Sequence, residues 1–118
     1  MNTASIVIEN GQVTIMSAAK NIWLSQHQLA DLFGVFVSAI GSNIRSIFKN
    51  EILQESKVCR RKANGKKSFV SVYNLEMITA LAFRLKSSKA QQYRHWMIHQ
   101  IDNPVIIWSG LNRDTALN

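Results

Sequence analysis

The amino-acid sequence predicts one small α+β domain over residues 1–101, followed by a short tail over residues 102–118. Three observations predict this class. Two Asn-Gly pairs each separate two strand-like runs, which is the pattern of a β-hairpin. Between these hairpins, a strong helix-start signal and a glycine mark two amphipathic helices. The length of 118 residues and the 47% hydrophobic content fit a single globular core.

The first hairpin is predicted from two short runs of Ile and Val, residues 6–8 and 13–15, on either side of Asn10-Gly11. Asn and Gly adopt positive φ readily, as a two-residue type I′ turn requires. The Ile-Trp-Leu run at residues 22–24 fits a third short strand, although the pattern around it is ambiguous. We expect these strands to be scaffold.

The first helix is predicted over residues 26–33. Ser25 is suited to cap its N-terminus, and Gln28 stands three residues later to complete a capping box. Leu24 and Leu29 occupy the positions of a hydrophobic staple. Gly34 then ends the helix, because glycine takes the left-handed conformation without a steric penalty.

A second helix is predicted over residues 37–50, where one stripe is apolar and another is polar at about 100° per residue. The apolar stripe consists of Ile40, Ile44, Ile47 and Phe48, and the polar stripe consists of Ser38, Ser42, Arg45 and Lys49. Ala30, Gly34, Val35 and Ile40 match the spacing of a helix-turn-helix. An ordinary helical hairpin is the alternative interpretation.

The second hairpin spans residues 57–73, and we call it the basic hairpin. A two-residue turn at Asn64-Gly65 is its natural interpretation. That register places Lys62 opposite Lys67, with Arg61 opposite Ser68 and Lys66 beside the tip. Like charges in opposition cost a few tenths to about 1 kcal/mol, which favours a functional origin such as contact with phosphates. A helix-turn-helix followed by such a hairpin predicts a winged helix-turn-helix.

Two further helices are expected after the basic hairpin. Asn74 is suited to cap a central helix that ends near Leu85, and a last helix follows over residues 90–101. The last helix should turn Tyr93, Trp96, Met97 and Ile101 inward. Beyond Pro104, residues 105–108 read Val-Ile-Ile-Trp and have no evident place in the core. We therefore expect the tail to mediate association of two chains into a homodimer.

The net charge of +7 is concentrated in one part of the chain. Residues 57–101 carry ten Lys and Arg against Glu76 alone, whereas the segments before and after sum to −1 each. Such a surface attracts a polyanion. A charged face that only aids solubility is the alternative. No apolar run approaches the ~18 residues of a membrane span, and the single Cys59 excludes an internal disulfide, so we expect a cytoplasmic protein.

Several separated motifs occur together over residues 20–100: Trp23-Leu24-Ser25-Gln26, residues 28–35, Val58-Cys59, Tyr73-Asn74-Leu75 and residues 92–96. In this order they resemble the RhuM-like family, named after the virulence protein RhuM. The resemblance implies a module akin to the KilA-N and Bro-N DNA-binding domains of phages and mobile elements. Similar sequences follow Gly-Val with Ser-Arg, where this chain has Phe36-Val37. Because a serine cap is lost, the second helix is expected to start late, capped by Ser38.

The sequence favours no enzyme class. His95 and His99 stand four residues apart but lack the glutamate of a zincin motif, so we expect no metal. Cys59 lies beside Arg60, but a strand cysteine more often packs in the core. The seven acidic residues show no paired spacing, and no glycine-rich phosphate loop is present. No cofactor and no small-molecule substrate are expected.

Two function hypotheses remain open. In the first, the chain is a transcription regulator or another sequence-selective binder of double-stranded DNA. The base-reading set is then Ser38, Ser42, Asn43 and Arg45, and the phosphate-binding set is Gln26, Lys49, Arg60, Arg61, Lys62, Lys66 and Lys67. In the second, the chain is a protein-interaction module of the antirepressor kind, in which exposed Phe36 and Val37 dock a partner.

Overall fold

The computed structural model describes residues 6–16, 18 and 21–102, and it confirms the α+β class. Two antiparallel sheets are present in this part of the chain, one of order β1-β2 and one of order β3-β5-β4. The strands are β1 (Ile6–Glu9), β2 (Gln12–Ile15), β3 (Leu24–Ser25), β4 (Cys59–Ala63) and β5 (Phe69–Tyr73). The helices are α1 (Gln26–Phe33), α2 (Val37–Lys49), α3 (Glu55–Val58), α4 (Leu75–Ala82) and α5 (Ser88–Asp102).

The first hairpin forms at the predicted turn. Asn10 and Gly11 have φ of 54° and 76°, as a type I′ turn requires, and Glu9 pairs with Gln12. The hairpin packs on α5, where the Gly11 amide donates to Oε1 of Gln92 at 2.8 Å. It therefore belongs to the scaffold, as expected.

Helix α1 has the predicted bounds, and both halves of its capping box are formed. The Gln28 amide donates to Ser25 Oγ at 3.2 Å, and the Ser25 amide donates to Gln28 Oε1 at 2.8 Å. Gly34 ends the helix with φ of 65°. The third strand is also present, although it covers Leu24–Ser25 rather than residues 22–24.

Helix α2 does not start late. It begins at Val37 with Phe36 at the N-cap, and no side chain caps it, so the expected cap by Ser38 is wrong. The carbonyl of Phe36 instead accepts from the amides of Ala39 and Ile40. Burial of the apolar stripe compensates for the missing cap, because Ile40 and Ile47 are fully buried in the hydrophobic core.

Helix α4 is central, as predicted, but it ends at Ala82 rather than near Leu85. Asn74 caps it by accepting from the Met77 amide at 3.3 Å. At its other end, Arg94 Nη1 donates to the carbonyls of Ala82 and Leu85, both at 2.7 Å. The guanidinium of Arg94 thus satisfies carbonyls that the helix leaves unpaired.

Helix α5 turns Tyr93 into the core, where its hydroxyl lies 2.7 Å from that of Thr79. Trp96 and Met97 are half-buried against the same core. Ile101 was expected to face inward, but it is 62% exposed because α5 runs past the edge of the packed elements. The apolar run at 105–108, and with it the predicted homodimer contact, lies outside the described residues.

No helix among the described residues is both long and apolar enough to cross a bilayer.

Candidate nucleic-acid interface

The polar stripe of α2 faces away from the core. Ser38, Ser42, Arg45 and Lys49 are all exposed, whereas Ile40, Ile44 and Ile47 on the opposite side are buried. The predicted separation into a buried and an exposed stripe is therefore confirmed. The exposed stripe presents two hydroxyls and two cations along one helix face, a set that suits hydrogen bonding to a polyanion.

Asn43 stands apart from this stripe. It is half-buried, its Nδ2 donates to the Ala39 carbonyl at 2.8 Å, and its Oδ1 accepts from Arg84 Nε at 3.1 Å. The same guanidinium donates to Ser46 Oγ at 2.7 Å. The Asn43 amide thus joins α2 to the turn after α4.

Gln26 connects the start of α1 to the three-stranded sheet. Its Nε2 donates to the hydroxyl of Tyr73 at 3.4 Å. Burial raises the pKa of Tyr73 above 10.0, while the hydrogen bond from Gln26 acts in the opposite direction. On the other side of Gln26, its Oε1 lies 3.1 Å from the point that a Cβ on Gly41 would occupy. Gln26 therefore lies between β5 and α2.

The register of the basic hairpin differs from the prediction. Arg61 pairs with Ser71, Lys62 with Val70 and Ala63 with Phe69, so the opposition of Lys62 and Lys67 is wrong. Residues 64–68 form a five-residue loop, closed by the Asn64 amide donating to the Ser68 carbonyl at 2.9 Å. Repulsion between Lys62 and Lys67 across the hairpin therefore does not support a functional role for these cations.

The cations of the basic hairpin are nonetheless displayed to solvent. All six are exposed: Lys57, Arg60, Arg61, Lys62, Lys66 and Lys67. Two of them lie over aromatic rings, with the Arg60 Cζ 4.0 Å from the Trp23 ring centroid and the Arg61 Cζ 5.0 Å from that of Phe69. Phe69 is itself 60% exposed, so this pair combines a cation with an apolar ring at the surface.

The two faces of the basic hairpin carry different cations, and one of them includes Tyr73, which links the sheet to Gln26. Side chains alternate along a strand, so Phe69, Ser71 and Tyr73 share a face, and the pairing of Arg61 with Ser71 places Arg61 there as well. Tyr73 contacts Gln26, which in turn reaches Gly41 of α2. Of the predicted site residues, Gln26 and Arg45 meet at Gly41, Arg61 shares a strand face with Tyr73, and Arg60 and Lys62 lie on the other face.

Most cations after the basic hairpin serve the scaffold instead. Arg84 bridges to α2, Arg94 closes the end of α4, and Lys89 Nζ donates to the Ile8 carbonyl. Among the late cations of the described chain, Arg84 and Lys86 are exposed, and Arg84 is engaged with Asn43 and Ser46. The basic surface is therefore narrower than the charge count suggests, and it centres on the basic hairpin and α2.

Two aromatic residues that the sequence does not assign to the site contribute here, the exposed Phe69 and the buried Tyr73. Tyr73 occurs in the Tyr73-Asn74-Leu75 motif, but no local pattern indicates its contact with Gln26, which spans 47 positions in sequence. The sequence predicts that Phe69 lies in a strand, but it does not predict on which face of the hairpin the side chain lies, because that depends on the register. No group of three His, Cys, Asp or Glu side chains within the described ranges is placed to hold a metal ion.

Comparison of the chain with protein-family models, with curated proteins and with solved structures produced no match. The resemblance to RhuM-like proteins stays a prediction from sequence motifs.

Proposed function

We propose that this protein binds double-stranded DNA through the exposed stripe of α2 and the basic hairpin. The observation that carries the proposal is the exposure of the hairpin cations together with the polar stripe of α2, on two elements that the contact of Tyr73 with Gln26 links. Six exposed cations line the hairpin, and no acid occurs between Glu55 and Glu76 to neutralise them. Such a surface suits a helical polyanion.

The strand order supports a winged helix-turn-helix interpretation. Strand β3 immediately precedes the two helices and pairs with β5, the second strand of the basic hairpin. This pairing fixes the hairpin against the start of α1, so that helix pair and hairpin act as one unit. A DNA duplex in contact with α2 then meets the hairpin on its adjoining phosphates.

The contacts fall into two classes. Ser38, Ser42 and Arg45 on the exposed stripe are proposed to approach base edges. Lys49, Arg61 and the loop residues Lys66 and Lys67 are proposed to contact phosphates, whereas Arg60 and Lys62 lie on the other face of the hairpin. Asn43 is proposed to support the placement of α2 instead, because both ends of its amide are engaged within the protein.

The motifs that resemble RhuM-like proteins support a role in transcription regulation in a prokaryote or mobile element. We propose this as the biological context of the DNA binding, with no cofactor or small-molecule substrate.

A titration with random duplex DNA at two salt concentrations tests the proposal. The observed affinity should fall steeply as salt rises, because each phosphate contact releases counterions. Fluorescence anisotropy of a labelled duplex measures this. Binding that is absent at low salt, or that does not weaken with salt, would contradict the proposal.

A second candidate function is a protein-interaction module, and Phe36 favours it. This side chain is 85% exposed at the start of α2. Exposure of an apolar ring to water is unfavourable, and contact with a protein partner would bury it. The variant Phe36→Ser tests whether Phe36 belongs to the DNA-binding surface, and the wild-type titration at low salt distinguishes the two functions. If α2 binds DNA and Phe36 serves a protein partner, the variant keeps its affinity for DNA. A wild-type chain that fails to bind DNA at low salt would leave the interaction module as the better function.

A further inference from the structure

Gly41 lies in the middle of α2, where glycine destabilises a helix relative to alanine. Nothing in its backbone demands glycine, since its φ lies outside the left-handed region. A reason for glycine must therefore come from what surrounds it.

The surroundings of Gly41 are the ends of two polar side chains. A Cβ at this position would lie 3.1 Å from Gln26 Oε1 and 3.3 Å from Arg45 Nη1, and the next atom, Gln26 Cδ, is 4.0 Å away. No backbone atom of α1 comes nearer than these, so the glycine does not serve a close crossing of helices. It leaves a recess on α2 that Gln26 and Arg45 cover from two different helices.

The two side chains are complementary, and one of them is anchored. Gln26 Nε2 donates to the Tyr73 hydroxyl, which leaves Oε1 as the acceptor directed at the recess. Tyr73 is buried in the sheet and does not move freely. Arg45 stands one turn after Gly41, and its side chain folds back toward the helix N-terminus, so its guanidinium reaches the same recess. A guanidinium carries only donors and Gln26 Oε1 is an acceptor, and both groups lie within 3.3 Å of the same Cβ point.

We propose that the Gly41 recess orients the guanidinium of Arg45 for a guanine edge in the major groove, with Gln26 as a positioning residue rather than a phosphate contact. The inference rests on the proposed DNA binding and names its target. Arginine recognises guanine through paired hydrogen bonds to O6 and N7, which require a fixed plane of the guanidinium. Gln26, held by Tyr73, restricts that plane before DNA arrives, and less side-chain freedom is then lost on binding.

The variant Gly41→Ala tests the recess directly. The added methyl group displaces the ends of Gln26 and Arg45, which are flexible, so the fold is retained and the helix gains intrinsic stability. The thermal midpoint should therefore stay or rise. The preference for a duplex selected from a random library, over random DNA, should fall about 2- to 10-fold, which corresponds to the cost of ordering one long side chain.

A double-mutant cycle and a modified base supply the controls. On an Arg45→Ala background, Gly41→Ala should leave the preference unchanged, because no guanidinium remains to be displaced. Replacing single guanines of the selected duplex by 7-deazaguanine, which lacks the N7 acceptor, should weaken wild-type binding at one position and leave the Arg45→Ala variant unaffected. The inference is overturned if Gly41→Ala keeps the preference for the selected duplex. It is also overturned if the variant loses as much affinity for random DNA as for the selected duplex.

A measurement without DNA separates this inference from the proposed function. In the free protein, Arg45→Ala and Gly41→Ala should each shift the NMR signals of the Gln26 side-chain amide, whereas Lys49→Ala, on the same stripe, should not. Unchanged Gln26 signals in the first two variants overturn the recess even if DNA binds. If both variants shift the Gln26 signals but the wild-type chain shows no preferred duplex, the recess is confirmed, and base reading, with its guanine target, is refuted.

Discussion

Removing four cations from the basic hairpin should change how DNA binding responds to salt. The variant carries Arg61→Ala, Lys62→Ala, Lys66→Ala and Lys67→Ala, all at exposed positions. Arg60 is retained because it lies over the Trp23 ring. Lys62 lies on the face opposite Arg61, so a duplex on the Arg61 face meets three of the four side chains: Arg61, Lys66 and Lys67. Each phosphate contact contributes about −0.9 to the slope of log K against log salt, so three contacts contribute about −2.7. A fourfold rise in salt should therefore weaken the wild-type protein about 40-fold more than the variant.

The corrected register changes what the same variant does to stability. Lys62 pairs with Val70 rather than with Lys67, so no repulsion across the ribbon is relieved. Loss of Arg61 from the Phe69 ring removes a cation–π contact worth about 0.5–1 kcal/mol at an exposed site. The free energy of unfolding should therefore fall slightly, by less than about 1 kcal/mol, rather than rise.

Fluorescence anisotropy on random and selected duplexes at several salt concentrations measures the slope, and urea unfolding followed by circular dichroism measures the stability. Single lysines supply a matched control. Lys66→Ala should lower the slope by about 0.9, whereas Lys86→Ala, in the turn between α4 and α5, should leave it unchanged. An unchanged slope in the quadruple variant would remove the basic hairpin from the binding surface.

Three further changes test the site and the scaffold. Arg45→Ala should cost about 1–3 kcal/mol of binding on a selected duplex and much less on random DNA, as anisotropy would show; an equal loss on both reduces Arg45 to a phosphate contact. Ser25→Ala removes the acceptor for the Gln28 amide and should lower the free energy of unfolding by about 1 kcal/mol in urea, and an unchanged midpoint would contradict the role of the cap. Burial raises the pKa of Tyr93 above 10.0, so its contribution to stability is complete below pH 10.0 and is lost as pH rises further. Tyr93→Phe should make that alkaline loss shallower in unfolding measurements across this range, and an equally steep loss would refute the assignment.

Short-range signals predicted much of the fold, because the bonds they describe join neighbours in sequence. The capping box of Ser25 and Gln28 spans three residues, and both of its bonds are formed. The turn at Asn10-Gly11 likewise depends only on the φ preferences of two residues. In each case the tertiary structure agrees with the local preference.

The basic hairpin shows where a local signal fails. Asn64-Gly65 is as good a turn signal as Asn10-Gly11, but the pairing is set at the other end of the hairpin. There Tyr73 is buried and paired with both Leu24 and Cys59, and α3 occupies the chain up to Val58. A two-residue turn would require strand pairing by residues of α3. The core therefore imposes the longer loop, and no local pattern reports that constraint.

The candidate site was predicted as a set of residues but not as a geometry. The exposed stripe of α2 followed from helical periodicity and is confirmed. The separate role of Asn43 depends on Arg84, which lies 41 positions away, and the position of Gln26 depends on Tyr73, 47 positions away. Contacts of this range arise only when the helices and the sheet have packed together.

The outer part of the basic hairpin has a thermodynamic consequence for the whole chain. Every residue from 60 to 69 is exposed, so this part is held by its own ladder of hydrogen bonds and buries no side chain in the core. An isolated two-stranded hairpin of this kind is only marginally stable. Its amide hydrogens should therefore exchange with solvent through local opening, far faster than those of α4. Affinity and folding stability are then set by different residues. Under the proposed function, loops of other lengths and sequences in place of residues 64–68 would alter which polyanions are bound, with little effect on the free energy of unfolding of the core.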